Sequence, residues 1–230
     1  IYNYRARKYN KWVHQDYLVV DSKPVVTYFE SAFPSQKLDI LPVGYPRVNY
    51  LLNRAQDLSL RKRIIKGLNL DPSKPVLLYA PTWKTNPSEE DILPISEQLL
   101  AKYNVIFKGH VESEDIHIPE QVIVPPESVE TQDLIIVSDI VLTDYSSIIF
   151  DALTINKKVC LYTPQHAEYV EERGVYEDVL ESLKQVWYTD ATLLTNNLIS
   201  DEVPHIDSKL VNRHNQSLEE LSHLITQQLN

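Results

Sequence analysis

Ser146 and Ser147 close a polar stretch, Thr143-Asp144-Tyr145-Ser146-Ser147, that follows the apolar run Ile140-Val141-Leu142 and leads into Ile148, Ile149, Phe150, Ala152 and Leu153 at helical spacing. This is a strand, a tight turn and a helix start. The first amides of such a helix have no internal partner and carry the positive end of its dipole, so the serine pair suits either of two tasks. It caps the helix, or it holds a phosphate oxygen. Three further polar clusters stand where apolar runs stop: Pro81-Thr82-Trp83-Lys84, Lys108-Gly109-His110 and Tyr162-Thr163-Pro164-Gln165. Cations, hydroxyls, an imidazole and aromatic faces on which a base could stack suit a phosphorylated substrate. His110 is the only histidine preceded by Lys-Gly at the end of an apolar run. It is the candidate catalytic group, with a plain surface histidine as the alternative.

The clusters converge only if the strands that carry them are parallel. Residues 76–80, 105–108, 121–124, 140–143 and 158–162 read as short apolar strands, alternating with helices over 92–103 (interrupted early by Pro94), 129–137 and 147–154. Buried strands separated by helices mean a parallel sheet covered on both faces. The expected fold is therefore doubly wound α/β, with the ligand at the carboxyl ends of the strands. Upstream, 16–21 reads as a buried strand, a helix follows from residue 23 or 24 to 33, and 38–43 is a second strand. Gly44-Tyr45-Pro46-Arg47 is a turn signal before a helix beginning near Val48, and 58–68 is a further helix. Helices over 168–183 and 208–229 close the chain, with 186–188 as an edge strand. The linker Asp71-Pro72-Ser73-Lys74-Pro75 sets a domain boundary, with residues 1–70 before it and 71–230 after it.

Composition narrows the function. At 230 residues and 43% hydrophobic, the chain can bury one large core or two modest ones. A net charge of −10 argues against a general nucleic-acid binder. The first dozen residues are nonetheless basic, through Arg5, Arg7, Lys8 and Lys11, and form either a solvated helix face or a contact for an anionic polymer or lipid surface. No apolar run reaches the roughly 20 residues that span a bilayer, and the start lacks the apolar core of a signal peptide, so a cytoplasmic location is expected. Cys160, the single cysteine, sits in an apolar run and is expected to be an ordinary buried thiol. The four glycines, Gly44, Gly67, Gly109 and Gly174, lie too far apart for a dinucleotide fingerprint or a Walker loop, so a phosphate site here needs another device. His117 with Glu112, Glu114 and Asp115 fits no ligand spacing, and no metal is assigned. Methionine is absent, which leaves a fragment, a processed piece, or a sequence from which modified methionines are missing.

Five ordered motifs carry a resemblance. Gly44-Tyr45-Pro46-Arg47, Leu78-Tyr79-Ala80-Pro81-Thr82-Trp83, Phe107-Lys108-Gly109-His110, Leu142-Thr143-Asp144-Tyr145-Ser146-Ser147 with Phe150-Asp151, and Tyr169 followed by Arg173-Gly174-Val175-Tyr176 resemble the signature blocks of the CDP-glycerol glycerophosphotransferases. These are the teichoic-acid primases and polymerases, with ribitol-phosphate and capsule-polymer relatives. The resemblance spans roughly residues 16 to 178. It implies a GT-B architecture of two Rossmann-like domains, residues 1–70 being the end of the acceptor-side domain and 71–230 the nucleotide-donor domain. It implies that Ser146 and Ser147 hold the pyrophosphate, with Lys108, His110 and Thr82 nearby and Arg47, Arg173 and Tyr169 lining the cleft. Thr143, Asp144 and Lys84 complete the donor-binding set.

The implied reaction is attack by a hydroxyl of a polymer acceptor on the β-phosphate of CDP-glycerol or CDP-ribitol, releasing CMP, with no tightly bound cofactor. The implied partner is a lipid-linked or oligosaccharide primer, met by a peripheral enzyme at the inner face of the cell membrane; no nucleic acid is implied and the oligomeric state is open. This sequence departs from the family at several positions. The Trp-His-Gly motif, whose histidine resembles the base, has no match, so the fragment is expected to bind nucleotide better than it turns over. Lys84 stands for an arginine, Asn49 for an aspartate, Val111 for a proline and Gln165 for an aspartate; Lys84 keeps the charge without the planar fork. Two other readings stay open: a GT-B sugar-nucleotide glycosyltransferase or epimerase using Asp144 or Glu168 on the ribose, and a non-catalytic polymer-binding module.

Overall fold

Apolar residues that run without a break become strands buried on both faces: β3 (Val76–Tyr79), β4 (Asn104–Phe107), β5 (Ile140–Thr143) and β6 (Lys158–Tyr162). The structure, a computed structural model, describes residues 16–32, 39–82, 93–109, 118–211, 213 and 217–228. A short edge strand, β7 (Trp187–Tyr188), completes a five-stranded sheet of order β4-β3-β5-β6-β7, parallel throughout. Beyond β4 the backbone of Ile123 pairs in parallel, Phe107 donating to the Ile123 carbonyl at 2.9 Å and Ile123 to that of Val105 at 2.8 Å. The strand expected over 121–124 contracts to this one bridge, because a turn at Pro119–Val122 leads into it and Pro125 and Pro126 offer no amide beyond it. With that segment included, the order is that of a doubly wound sheet whose direction of winding reverses between β3 and β5.

Side chains alternate across the sheet and divide the core in two. Val76, Leu78, Ile106, Val141, Val159 and Leu161 face one cluster, which takes Leu134 and Ile135 from the helix Thr131–Val137 and Ile149, Ala152 and Leu153 from Ile148–Thr154. Leu77, Val105, Phe107, Ile140, Leu142 and Cys160 face the other, against Leu99 of the helix Glu97–Lys102 and Leu194 and Leu198 of Ala191–Ser200. Each Val, Leu, Ile or Phe among them, removed from water, stabilises the fold by roughly 1.5–3 kcal/mol. Burial also pushes the Cys160 thiol well above its ordinary pKa, the state of an inert core cysteine.

Upstream, β1 (Tyr17–Val19) and β2 (Asp39–Leu41) form a separate parallel pair. Both are shorter and less buried than their sequences suggest, and Pro42 ends the second. The helix Pro46–Arg54 begins on its proline, where the missing amide costs nothing, and Leu58–Gly67 is capped by the Asp57 carboxylate on the amides of Ser59 and Leu60. Leu51 and Leu60 of these two helices belong to the first core cluster, so the segment before the Asp71–Pro75 linker shares its packing with the sheet.

Three helices differ from expectation. The one expected over 92–103 starts only at Glu97, since Pro94 disfavours helical geometry at Leu93 and the Ser96 hydroxyl caps the amide of Leu99. The one expected over 168–183 is two, His166–Arg173 and Glu177–Ser182, separated at Gly174, whose φ of 69° and ψ of 152° only glycine adopts without strain. The one expected over 208–229 is the helix Ser217–Gln228, preceded by Ala191–Ser200, which the sequence reading leaves unassigned. Gly174→Ala is expected to lower unfolding stability by about 1–3 kcal/mol in a denaturant titration. An unchanged midpoint would contradict the assigned chain break.

Candidate functional site

The carboxyl ends of β3 and β5 are tied to each other. Asp144, only 7% exposed just past β5, accepts the backbone amide of Thr82 at 3.0 Å and the Thr82 hydroxyl as well. One residue earlier the buried Thr143 hydroxyl donates to the carbonyl of Ala80 at 2.6 Å. These bonds hold together the two loops that flank the reversal of the sheet, the place where doubly wound folds leave a crevice. On the far side of β3, the Lys108 amide reaches the carbonyl of Tyr79 at 2.9 Å, which aligns Lys108 with the ends of β3 and β5. At Gly109 an added Cβ would lie 2.6 Å from the Phe107 ring, itself packed edge-on against Tyr79, so a larger residue would have to displace that ring.

Ser146 and Ser147 enter the helix Ile148–Thr154 at this edge. Ser147 occupies the cap position with its side chain exposed and unbonded to the helix, and the Ser146 oxygen lies 3.4 Å from the Ile148 amide. Of the two tasks left open for the pair, capping by Ser147 is not the one realised. Four residues on, and so on the same helix face as Ser147, Asp151 receives Arg47 Nε at 2.9 Å on both carboxylate oxygens. The Arg47 guanidinium also lies over the Tyr45 ring, 4.3 Å from its centroid. Arg47 thus joins the turn Gly44-Tyr45-Pro46-Arg47 to the helix that follows the serines. Burial raises the pKa of Asp151, and Arg47 opposes that shift.

Tyr169 is buried, its ring stacked on that of Tyr145 at 3.6 Å between centroids. Tyr145 in turn bonds His166 Nδ1 at 2.7 Å, and His166 meets the edge-on ring of Trp187 at 4.8 Å. The sequence reading gives His166 no role and names Tyr145 only within its polar cluster and motif. The signal was available, since His166 directly follows the polar cluster after β6. Asn49 is buried rather than exposed to a ligand, accepting the Ser217 hydroxyl at 2.6 Å. Arg173 closes the helix His166–Arg173, ahead of the break at Gly174. Lys84, His110, Val111 and the acidic residues around His117 lie outside the described residues.

The opposite edge of the sheet spends its charges on the fold. Asp139 accepts the Val76 amide at 2.7 Å and faces Arg61, while Lys157 donates to the Ile136 carbonyl at 2.7 Å and is held by burial at a pKa of about 8. The carboxyl edge, by contrast, presents Ser147 with its hydroxyl exposed.

A model of the CDP-Glycerol:Poly(glycerophosphate) glycerophosphotransferase family matches residues 2–218. The chain belongs to this family. The teichoic acid poly(glycerol phosphate) polymerase of Staphylococcus epidermidis is 28% identical over 84% of this chain and 28% of its own length. That of Bacillus spizizenii is 30% identical over 74% of this chain and 45% of its own. The teichoic acid ribitol-phosphate primase of the same organism is 25% identical over 88% and 54%. The chain therefore spans between about a quarter and a half of these relatives. Among solved structures, the wall teichoic acid polymerase TagF aligns with a TM-score of 0.74 at 25% identity, covering 93% of this chain and 57% of that one. A variant of that polymerase soaked with CDPG aligns at a TM-score of 0.71. The Arg47–Asp151 pair joins the segment Gly44-Tyr45-Pro46-Arg47 to the helix that follows the serines.

Arg47→Met is expected to cost about 1–3 kcal/mol, less than loss of a fully buried pair because the Arg47 side chain is 37% exposed. The raised folded pKa of Asp151 means that its contribution to stability is fully present below the unfolded value of 3.8 and is lost as pH rises through the folded one. Without Arg47 that pKa rises further. The penalty is therefore largest near neutrality and shrinks as pH falls, in denaturation curves measured across that range; a pH-independent penalty would contradict it.

Proposed function

We propose that the chain carries the nucleotide-donor half of a transferase that moves glycerol-phosphate, or ribitol-phosphate, from a CDP-alcohol to a growing teichoic-acid-like or capsular polymer. The observation that carries this reading is the grouping of Thr82, Lys108, Asp144, Ser146 and Ser147 at the carboxyl edge where the sheet reverses, in a chain that belongs to the glycerophosphotransferase family. Family membership supports a GT-B arrangement in which residues 71–230 hold the donor and residues 1–70 lead from the acceptor side. It also supports a peripheral enzyme acting on a lipid-linked or oligosaccharide primer at the inner face of the membrane. Among the described residues no helix is long and apolar enough to cross a membrane.

In this reading a hydroxyl of the acceptor attacks the β-phosphorus. The new phosphodiester bond forms as the bond to the CMP oxygen breaks, and the hydroxyl proton passes to a base. His110, with Lys108 and Lys84, meets the diphosphate, and positive charge there stabilises the departing CMP. The exposed hydroxyl of Ser147 and that of Ser146 donate to diphosphate oxygens. Arg47, held by Asp151, and Arg173 add positive charge to the cleft, Tyr169 supports it through Tyr145, and Thr143, Thr82 and Asp144 keep its two loops in register. No metal and no tightly bound cofactor enter this scheme.

Calorimetric titration with CDP-glycerol, CDP-ribitol, CMP and UDP-sugars tests it. Cytidine nucleotides are expected to bind in preference to UDP-sugars, and Ser146→Ala and His110→Ala each to weaken CDP-glycerol about ten- to a hundredfold, the worth of a hydrogen bond to a charged group. A preference for UDP-sugars, or binding indifferent to both substitutions, would overturn the reading.

A further inference from the structure

The linker at 71–75 divides the chain in sequence, yet the structure fastens it down. Buried Asn104, at the start of β4, accepts the Asp71 amide at 2.8 Å and donates to the carbonyls of Asp71 at 2.8 Å and Lys74 at 3.1 Å. Lys74 Nζ donates to the Leu100 carbonyl at 2.9 Å. The helices ahead of the linker are bound to the sheet as firmly. Leu51 and Leu60 are fully buried in the first core cluster, Arg47 pairs with Asp151, Tyr50 donates to the Asp133 carboxylate, and Arg61 bonds the Val137 carbonyl and Asp139. Residues 16–43 differ. Among the described residues, neither core cluster takes a buried member from them. They meet the sheet through Tyr28, whose hydroxyl donates to the Asp178 carboxylate, whose ring stands edge-on to Tyr176 at 4.9 Å, and whose carbonyl accepts the Tyr176 hydroxyl at 3.2 Å. Ser22 also donates to the Leu210 carbonyl at 3.2 Å. The two parts join at Gly44, which has a φ of 85° and stands between Pro42 and Pro46. Each proline fixes its own φ and holds the residue before it extended, so the freedom left to the joint lies at Val43 and Gly44.

We infer that residues 16–43 turn as one body about Gly44, that the chain from Pro46 onward, linker included, is a second body, and that Tyr28, Tyr176 and Asp178 clasp the two together. Hinges are a few loop positions that absorb the change in φ and ψ. The clasp bonds lie at exposed or half-buried positions, where a hydrogen bond nets little against water, while the contacts that hold the helices after Gly44 to the sheet include fully buried apolar ones. Arg47 lies past the joint and is tied to Asp151, so opening at Gly44 leaves Arg47 beside the helix that follows the serines and moves only the residues upstream. No ligand enters this behaviour, which stands independently of the proposed function.

Nitroxide labels on the full chain test it, placed at exposed positions by Glu30→Cys in the helix Val26–Ala32, Lys62→Cys in Leu58–Gly67 and Thr192→Cys in Ala191–Ser200, and measured in pairs by pulsed electron double resonance. Cys160 is fully buried and stays unlabelled. Tyr28→Ala, and separately the surface substitution Asp178→Ala, are expected to widen the distance distributions of the Glu30–Lys62 and Glu30–Thr192 pairs and to leave that of Lys62–Thr192 as narrow as before. Widening of Lys62–Thr192 with Glu30–Lys62 unchanged puts the boundary at the linker and overturns the inference. Widening of all three pairs, or no change in any pair with either substitution, overturns it as well.

Discussion

The Asp144 carboxylate, buried between the ends of β3 and β5, takes the amide and the hydroxyl of Thr82 together. A buried carboxylate is costly to desolvate and is retained where its hydrogen bonds are satisfied. Satisfying this one fixes the separation of two loops that belong to different strands. The sheet reverses its winding at this point, which is where doubly wound folds leave a crevice for ligand. The Thr143 hydroxyl repeats the tie one residue earlier, on Ala80.

Segments distant in sequence are also in contact. The turn Gly44-Tyr45-Pro46-Arg47 reaches Asp151, more than a hundred residues on, through an ion pair whose acidic partner is buried. The Tyr169 ring stacks on Tyr145, immediately before the serines. At the other edge of the sheet, Arg61 and Asp139 bond to each other and to backbone, and Lys157 bonds the Ile136 carbonyl. A net charge of −10 does not exclude a diphosphate site, because a ligand meets the local arrangement of donors and not the total charge.

Much of this was legible in the sequence, for reasons that differ by element. β5 and β6 are bounded as read because apolar runs stop at polar residues that the strand ends require, and the four polar clusters fall where a parallel sheet must gather them. The helix Ala191–Ser200 was not legible: threonines and asparagines lower its propensity, and it is held by the Asp190 cap and by burial of Leu194 and Leu198, neither visible in periodicity alone. The break at Gly174 was masked by acidic and apolar residues that continue helical spacing across it. Serine at a helix start reads as cap or phosphate ligand alike, and the structure shows only that the Ser147 side chain does not cap this helix. The contact between Tyr145 and His166, 21 positions apart, is invisible in the sequence because only the fold brings the two rings together.

The measurement that bears most directly on the account is a structure of the protein with CDP-glycerol or CMP bound. The account predicts phosphate oxygens within hydrogen-bonding distance of Ser146 or Ser147, at the carboxyl edge between β3 and β5, with the Thr82–Asp144 lock intact. A nucleotide seated at the Asp139–Lys157 edge, or away from the sheet altogether, would contradict it.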